Sequence, residues 1–349
     1  MNSIPCMIMR GGTSKGPFFL AEDLPQEKAA RDKALLAIMG SPDGRQIDGI
    51  GGAHPLTSKV AIVSRSERDG VDVDYLFLQV TPDTGMISDA QNCGNMLAGV
   101  GPFAIERGLV RAQNIETTVR IYMVNSDSRA DLIVQTPDGQ VIYTGDAHID
   151  GVPKSHAPIL QNYFGTAGAQ CGALLPTGQV IDVIDGTECT LVDNGMPSVL
   201  LRAADFGLSG YESPEDLESN EDLKGRLEFI RLQAGTLMNL GDVSDKTIPK
   251  MCLIAPPRQG GIISTRTFIP RRVHQAVGVL AAASDAAGCM ISGSVAEGMT
   301  VFEDNNPCRV NVEHPSGALT VELEWEGGTV TRTALLRTAR KIMDGTVFL

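Results

Sequence analysis

Of the seven cysteines in this chain, Cys93 has the neighbours best suited to chemistry. It lies in Gln91-Asn92-Cys93-Gly94-Asn95, directly ahead of a small apolar run that includes Met96, Leu97, Val100, Phe103 and Ile105. The run predicts a helix over residues 94–107, buried on most sides and closed by Gly108. A thiol at such a helix start meets unpaired backbone N–H groups and the positive end of the helix dipole, and both favour thiolate. Asn92 and Asn95 offer amides for carboxylate oxygens, and Gly94 lets a ligand approach the backbone. A small buried cysteine beside a helix cap would use the same residues without doing chemistry. Two amides and a glycine favour the functional reading.

Two further stretches carry polar groups beside glycines. Met9-Arg10-Gly11-Gly12-Thr13-Ser14-Lys15-Gly16 lacks the spacing of a phosphate loop. It is a turn whose N–H groups, Thr13 and Ser14 hydroxyls and Arg10 can bind a carboxylate, or else a plain strand-ending turn. Asp48-Gly49-Ile50-Gly51-Gly52 leads through Leu56-Thr57-Ser58 into Lys59, which opens the apolar strand Val60, Ala61, Ile62, Val63. Partial desolvation there would favour the neutral amine that a general base needs. A strand-edge lysine is otherwise simply solvated. Arg266, Arg271, Arg272 and His274 cluster at the start of a helix predicted over 273–287, where they either supply positive charge to an anionic substrate or face solvent. His54, His148, His156 and His314 show no metal-ligand spacing, so no metal is expected. There is no Rossmann fingerprint.

The elements that would position these residues alternate between strands and a few helices. Strands are expected at residues 4–9, 59–64, 71–80, 117–124, 129–135 and 140–143, with a hairpin turn at Pro137-Asp138-Gly139. A surface helix is expected over 25–39. The second half repeats the pattern, with strands at 190–192, 198–202, 250–255, 261–268, 309–313, 319–325 and 330–336. Helices are expected over 217–240 and 273–287. Each half therefore holds strands, one apolar helix and more strands, which predicts an α+β fold of two similar domains, each wrapping a sheet around a helix. The strand order is not readable from this pattern.

Composition limits the function classes. With 349 residues and 42% apolar content the chain is long enough for two domains with proper cores. The net charge of −13 argues against general nucleic-acid or anionic-membrane binding. The longest apolar stretch, 276–291, is broken by Ser284, Asp285 and Gly288, short of the ~20 residues of a membrane span. The short apolar core at 4–9, ended by Arg10, is not a signal peptide. Seven cysteines with no CxxC pair suit free thiols in the cytosol.

Taken together, Arg10-Gly11-Gly12-Thr13-Ser14, Ile47-Asp48-Gly49-Ile50-Gly51-Gly52, Leu56-Thr57-Ser58-Lys59 and Asn92-Cys93-Gly94-Asn95 resemble the PrpF-type isomerases of the diaminopimelate-epimerase-like superfamily. The likeness continues through Cys171-Gly172-Ala173-Leu174, Asp193-Asn194-Gly195-Met196-Pro197, Met238-Asn239-Leu240-Gly241 and Glu313-His314-Pro315-Ser316-Gly317. It is strongest to the branch that tautomerises 4-oxalomesaconate in gallate and protocatechuate catabolism, with aconitate and methylitaconate isomerases as near relatives. The resemblance implies two barrel-like domains, residues 1–150 with 338–349 and residues 151–337, and no cofactor. It implies a small unsaturated di- or tricarboxylate as partner. A homodimer is among the assemblies it leaves open. In the epimerase branch each domain supplies one cysteine. Here Val273, in Arg272-Val273-His274-Gln275, stands where the second would fall. In the PrpF-type branch the working pair is a lysine and a cysteine, which the resemblance places on Lys59 and Cys93. Carboxylates would be held by Arg10, Thr13, Ser14, Ser58, Asn92, Gly94, Asn95, Arg266 and His274. The rivals are an aconitate or methylitaconate isomerase, a non-catalytic carboxylate-binding protein, and a cysteine hydrolase, for which no histidine is suitably placed.

Overall fold

A computed structural model describes residues 3–90, 92–303 and 305–349, so Gln91 of the cysteine motif lies outside the described residues. The chain divides into two units, Met1–Asn162 with Leu336–Leu349, and Tyr163–Leu335.

The first unit contains β1 (Ser3–Gly11), β2 (Ser14–Leu20), α1 (Lys28–Met39), β3 (Lys59–Arg65), β4 (Val73–Val80), β5 (Ile87–Ser88), α2 (Gly94–Glu106), β6 (Ile115–Met123) and β7 (Ser128–Thr136). β8 (Pro158–Phe164) follows at its end. In the second unit are β9 (Asp182–Ile184), β10 (Thr187–Asp193), β11 (Pro197–Arg202), α3 (Pro214–Ser219), α4 (Glu221–Leu237), β12 (Lys250–Ala255), β13 (Ile263–Ile269) and β14 (Arg272–Val273). The chain continues through α5 (Val279–Met290), β15 (Cys308–His314) and β16 (Gly317–Glu326) to β17 (Thr329–Phe348), which begins in the second unit and ends in the first.

The first sheet runs β17–β1–β2–β3–β4–β6–β7, with β5 on the edge of β4. Only β2–β3 and β4–β6 are parallel among these pairs, and a parallel pair needs a crossover. α1 makes the first crossover and α2 the second. The second sheet runs β9–β10–β11–β12–β13–β15–β16–β17 with β14 on β13, and again only β11–β12 and β13–β15 are parallel. α3 and α4 fill one crossover and α5 the other. The two units thus share one pairing grammar, and each is a barrel-like sheet around an apolar helix. α2 lies against β1, β2, β3, β4 and β7, and α5 against β10, β11, β15 and β16.

Register decides which residues face α2. Side chains alternate along a strand and directly paired residues share a face. Met7, Met9 and Gly11 of β1 therefore share a face with Ser14, Gly16 and Phe18 of β2. The same row continues to Lys59, Ala61 and Val63 of β3 and to Gln79, Phe77 and Tyr75 of β4. This is the side of α2, since a Cβ on Gly11 would sit 2.4 Å from the Asn95 carbonyl oxygen. Phe18 meets Phe103 of α2 with ring centroids 5.8 Å apart. The opposite face, with Ile4, Cys6, Phe19, Val60, Ile62, Leu78 and Val80, forms a second core with Leu35, Ile38 and Met39 of α1.

Several expected elements differ. Residues 14–20 form β2, although the sequence reads as a glycine turn. Residues 140–143 form no strand: Asp138 and Gly139 take left-handed φ of 56° and 74°, and the chain leaves in a 3-10 turn instead of a hairpin. The helix expected over 217–240 is two, because the Asn220 side chain accepts Leu223 N–H at 3.0 Å and starts α4 anew. The helix expected from 273 begins at Val279. Before it, Arg272 and Val273 pair with Ile269 and Phe268, and Gly278 is extended (ψ 144°). Among the described residues no helix is long and apolar enough to cross a membrane.

Candidate active site

Cys93 is the N-cap of α2. Its backbone is extended (φ −131°, ψ 99°) and its Sγ accepts the Met96 N–H at 3.5 Å, while its carbonyl receives Leu97 N–H at 2.9 Å. The amides of Gly94 and Asn95 are first-turn donors with no acceptor inside the helix. Tyr75 Oη donates to the Cys93 carbonyl at 3.3 Å, and Gln161 Nε2 donates to the Gly94 carbonyl at 2.7 Å. All seven cysteines are free thiols, and Cys93 alone is not buried. Burial pushes the Cys6 thiol up to about 11 and those of Cys171 and Cys189 up to about 12, so these are inert packing groups.

Lys59 opens β3 in the row facing α2 and is only 7% exposed. Its ammonium donates to Gln79 Oε1 at 2.7 Å and stands 5.0 Å from the centroid of the Phe77 ring. Gln79 is held in turn: its Nε2 donates to the carbonyls of Pro55, Ser58 and Val80, which leaves Oε1 aimed at the lysine. The elements that carry Lys59 and Cys93 both lie against one strand face. Tyr75, which holds the Cys93 carbonyl, and Phe77, which underlies the Lys59 ammonium, are two residues apart on β4, about 7 Å. Gly16 completes the contact, because a Cβ there would lie 1.8 Å from the Lys59 carbonyl oxygen and 3.3 Å from Met96 Cε. Only glycine lets β2 pass this close to both.

The remaining expected site residues divide. Ser14 projects toward α2, is 1% exposed, and its hydroxyl has no partner among the described residues. Thr13 Oγ1 accepts Asn95 Nδ2 at 3.1 Å, so the β1–β2 turn and the head of α2 are tied together. Asn92 Nδ2 is bonded to Ser126 Oγ, while its buried Oδ1 has no partner among the described residues. Lys59, Cys93, Thr13, Ser14, Gly94 and Asn95 thus gather at one end of the first unit.

Three expectations need correction. Ser58 is fully buried and donates to Gln46 Oε1 at 2.7 Å, which also takes Ala53 N–H at 2.9 Å. It clamps the loop ahead of Lys59 and has no free hydroxyl for substrate. Arg10 lies on the face of β1 away from α2, with Nη1 donating to the carbonyls of Gly12 at 2.8 Å and Thr338 at 2.9 Å. In the second unit, Arg266 and His274 form no basic cluster with Arg271 and Arg272. Arg266 is spent on the carbonyls of Glu212 and Thr265 at 2.7 and 2.9 Å, and His274 Nδ1 accepts Ala276 N–H at 2.9 Å. Burial holds His274 below the usual imidazole range, with Lys250 adding to the effect. The N-cap of α5 is Gly278, not Val273, so the position matching Cys93 carries no side chain at all.

Gln79, Tyr75, Gln46 and Gln161 are not singled out by sequence, since tertiary packing brings their partners to them. Among the described residues no group of His, Cys, Asp and Glu could hold a metal ion. A buried amine, a half-exposed thiol and first-turn amides together can move a proton and stabilise the anion that results.

The chain is similar to known proteins over its whole length. The PrpF protein family model matches residues 1–349. A "(4E)-oxalomesaconate Delta-isomerase" of Novosphingobium sp. (strain KA1) is 58% identical over 349 residues, covering 100% of this chain and 98% of that protein. A "4-oxalomesaconate tautomerase" of Pseudomonas putida is 56% identical over 344 residues, covering 99% and 95%. The crystal structure of a methylitaconate-delta-isomerase superposes with a TM-score of 0.91 at 35% identity, covering 99% of this chain and 95% of that one. A hydroxyproline epimerase from Agrobacterium vitis, 12% identical with a TM-score of 0.53 over 100% and 94%, shares the fold. The fold is diaminopimelate-epimerase-like, and the chain belongs to the PrpF family and is an isomerase.

Proposed function

We propose that this isomerase shifts a proton, and with it a double bond, in 4-oxalomesaconate, using Lys59 and Cys93 as its acid–base pair and no cofactor. The observation that carries the reading is that both groups stand at the α2 end of the same strand face, one against Phe77 and Gln79, the other against Tyr75. In the forward step a base, Lys59 as neutral amine or Cys93 as thiolate, takes a proton from the carbon next to the carbonyl and allylic to the double bond. The C–H pair becomes a dienolate, held by the Gly94 and Asn95 amides at the positive end of α2. The partner group then returns a proton to the far carbon or to oxygen. Ser14, whose buried hydroxyl has no partner among the described residues, can donate to a substrate carboxylate. The setting we infer is cytosolic breakdown of aromatic acids of the gallate and protocatechuate type.

A methylitaconate isomerase is the second reading, favoured by the TM-score of 0.91 to such an enzyme. Proton NMR in deuterium oxide on 4-oxalomesaconate, aconitate and methylitaconate side by side separates the two. Cys93→Ala and Lys59→Met should each slow the preferred reaction by about 10²–10⁴-fold. Near-normal turnover in both variants would remove the pair from the mechanism.

A further inference from the structure

On the face of the first sheet turned away from α2, three basic residues stand in one row. Arg10 of β1 is the direct antiparallel partner of Lys15 in β2 and of Arg340 in β17. Its neighbour Gly11 packs on α2, so this row faces the other way. Direct partners lie about 5 Å apart, and the row spans about 10 Å. Like charges placed directly opposite one another destabilise a sheet. Among the described residues none of the three forms an ion pair.

Arg10 spends Nη1 on Gly12 O, Thr338 O and Thr338 Oγ1, while its Nη2 meets no acceptor among the described residues. Burial, then the Arg340 charge, draws Arg10 down to about 10. His156, buried nearby, is held below its ordinary value by burial and then by Arg10, against the opposing hydrogen bond to the Lys154 carbonyl. On a chain of net charge −13, this is a built and uncompensated positive field.

We propose that Lys15, Arg10 and Arg340 form a second anion site, distinct from Lys59 and Cys93, that takes a small polyanion bearing carboxylates or phosphates. Lys15 and the exposed Arg340 make the contacts, and Arg10 places its charge behind them. A ligand with two or more anionic groups places negative charge beside both ends of the row and removes the repulsion within it.

The test is titration calorimetry of the full chain with citrate and, separately, inorganic pyrophosphate. The proteins are wild type, Lys15→Gln/Arg340→Gln, and the charge-keeping Lys15→Arg/Arg340→Lys. The expected result is saturable binding in wild type and the charge-keeping variant, at least about tenfold weaker in the neutralised one. The better of the two ligands identifies the carboxylate or the phosphate class. kcat/KM for 4-oxalomesaconate stays within about twofold in the neutralised variant, since it loses no group of the candidate active site. No saturable binding to wild type, or binding unchanged by neutralisation, overturns the proposal. So does a KM that rises in step with the lost anion affinity, because the row would then belong to the substrate pocket.

Discussion

Replacing Gly16 with alanine should disable the Lys59–Cys93 pair without altering either side chain. An alanine Cβ would sit 1.8 Å from the Lys59 carbonyl oxygen, and an ordinary contact is 3.4 Å, so relief requires a shift of 1.6 Å. The obstacle is backbone at the first residue of β3, which cannot swing aside as a side-chain tip would. Lys59 must therefore move relative to Cys93 by more than 1 Å, a misplacement that typically costs about 10²-fold in rate. Overpacking adds about 1–3 kcal/mol of lost stability. The two effects are separable by measuring kcat/KM for 4-oxalomesaconate where urea titration shows the variant fully folded. Gly225→Ala is the control: it meets open space in the middle of α4 and should gain about 0.5–1 kcal/mol with unchanged kinetics. A folded Gly16→Ala enzyme with kcat/KM within about threefold of wild type would refute the reasoning, because the catalytic geometry would then not depend on this contact.

Cys93→Ser should keep the cap on Met96 N–H, since serine is a favoured N-cap, and so leave the unfolding midpoint unchanged while activity falls about 10²–10⁴-fold. Gln79→Leu removes the acceptor of the Lys59 ammonium; steady-state kinetics should show kcat lowered by about 10–100-fold, the worth of a charge-assisted hydrogen bond. In the second unit, burial raises the Asp285 carboxyl from 3.8 to about 6. The folded chain thus keeps a proton that the unfolded chain gives up, and the stability this represents is full below about pH 4 and lost as pH rises through 6. Asp285→Asn should therefore stabilise the protein by about 3 kcal/mol at pH 7 and by nothing near pH 3, as read by thermal unfolding at the two pH values.

The elements most legible in sequence are those whose burial is one-sided or complete. β4 and α2 show their faces in the residue types alone, and Cys93, the half-exposed thiol, stands out because a glycine and two amides surround it. What escaped depends on pairing. β2 carries Gly16 and Pro17 and no alternation, because it is passed closely by α2 and flanked by two strands, so nothing local marks it as a strand. The start of α5 is hidden because Val273 to Val277 have helix-compatible types while β13 recruits Val273 into a short strand. Arg10 illustrates the same limit at the site: its neighbours suggest a carboxylate holder, but alternation along β1 turns it to the other face. Gln79 meets Lys59 only because the β3–β4 register sets them opposite each other, a fact spread over two strands.

β17 has a consequence for how the protein is made. Its second half belongs to the first unit and pairs with β1 from Ser3 to Gly11. During synthesis the residues of the second unit emerge complete while β1 still waits for its partner. The unit that carries Lys59 and Cys93 thus finishes its sheet last, with residues 336–349. Domains usually fold as units in the order they appear; here the unit whose residues appear first is the last to be completed. A ribosome-bound chain halted before residue 336 would display β1 as an open edge, and would be inactive until those last residues closed it.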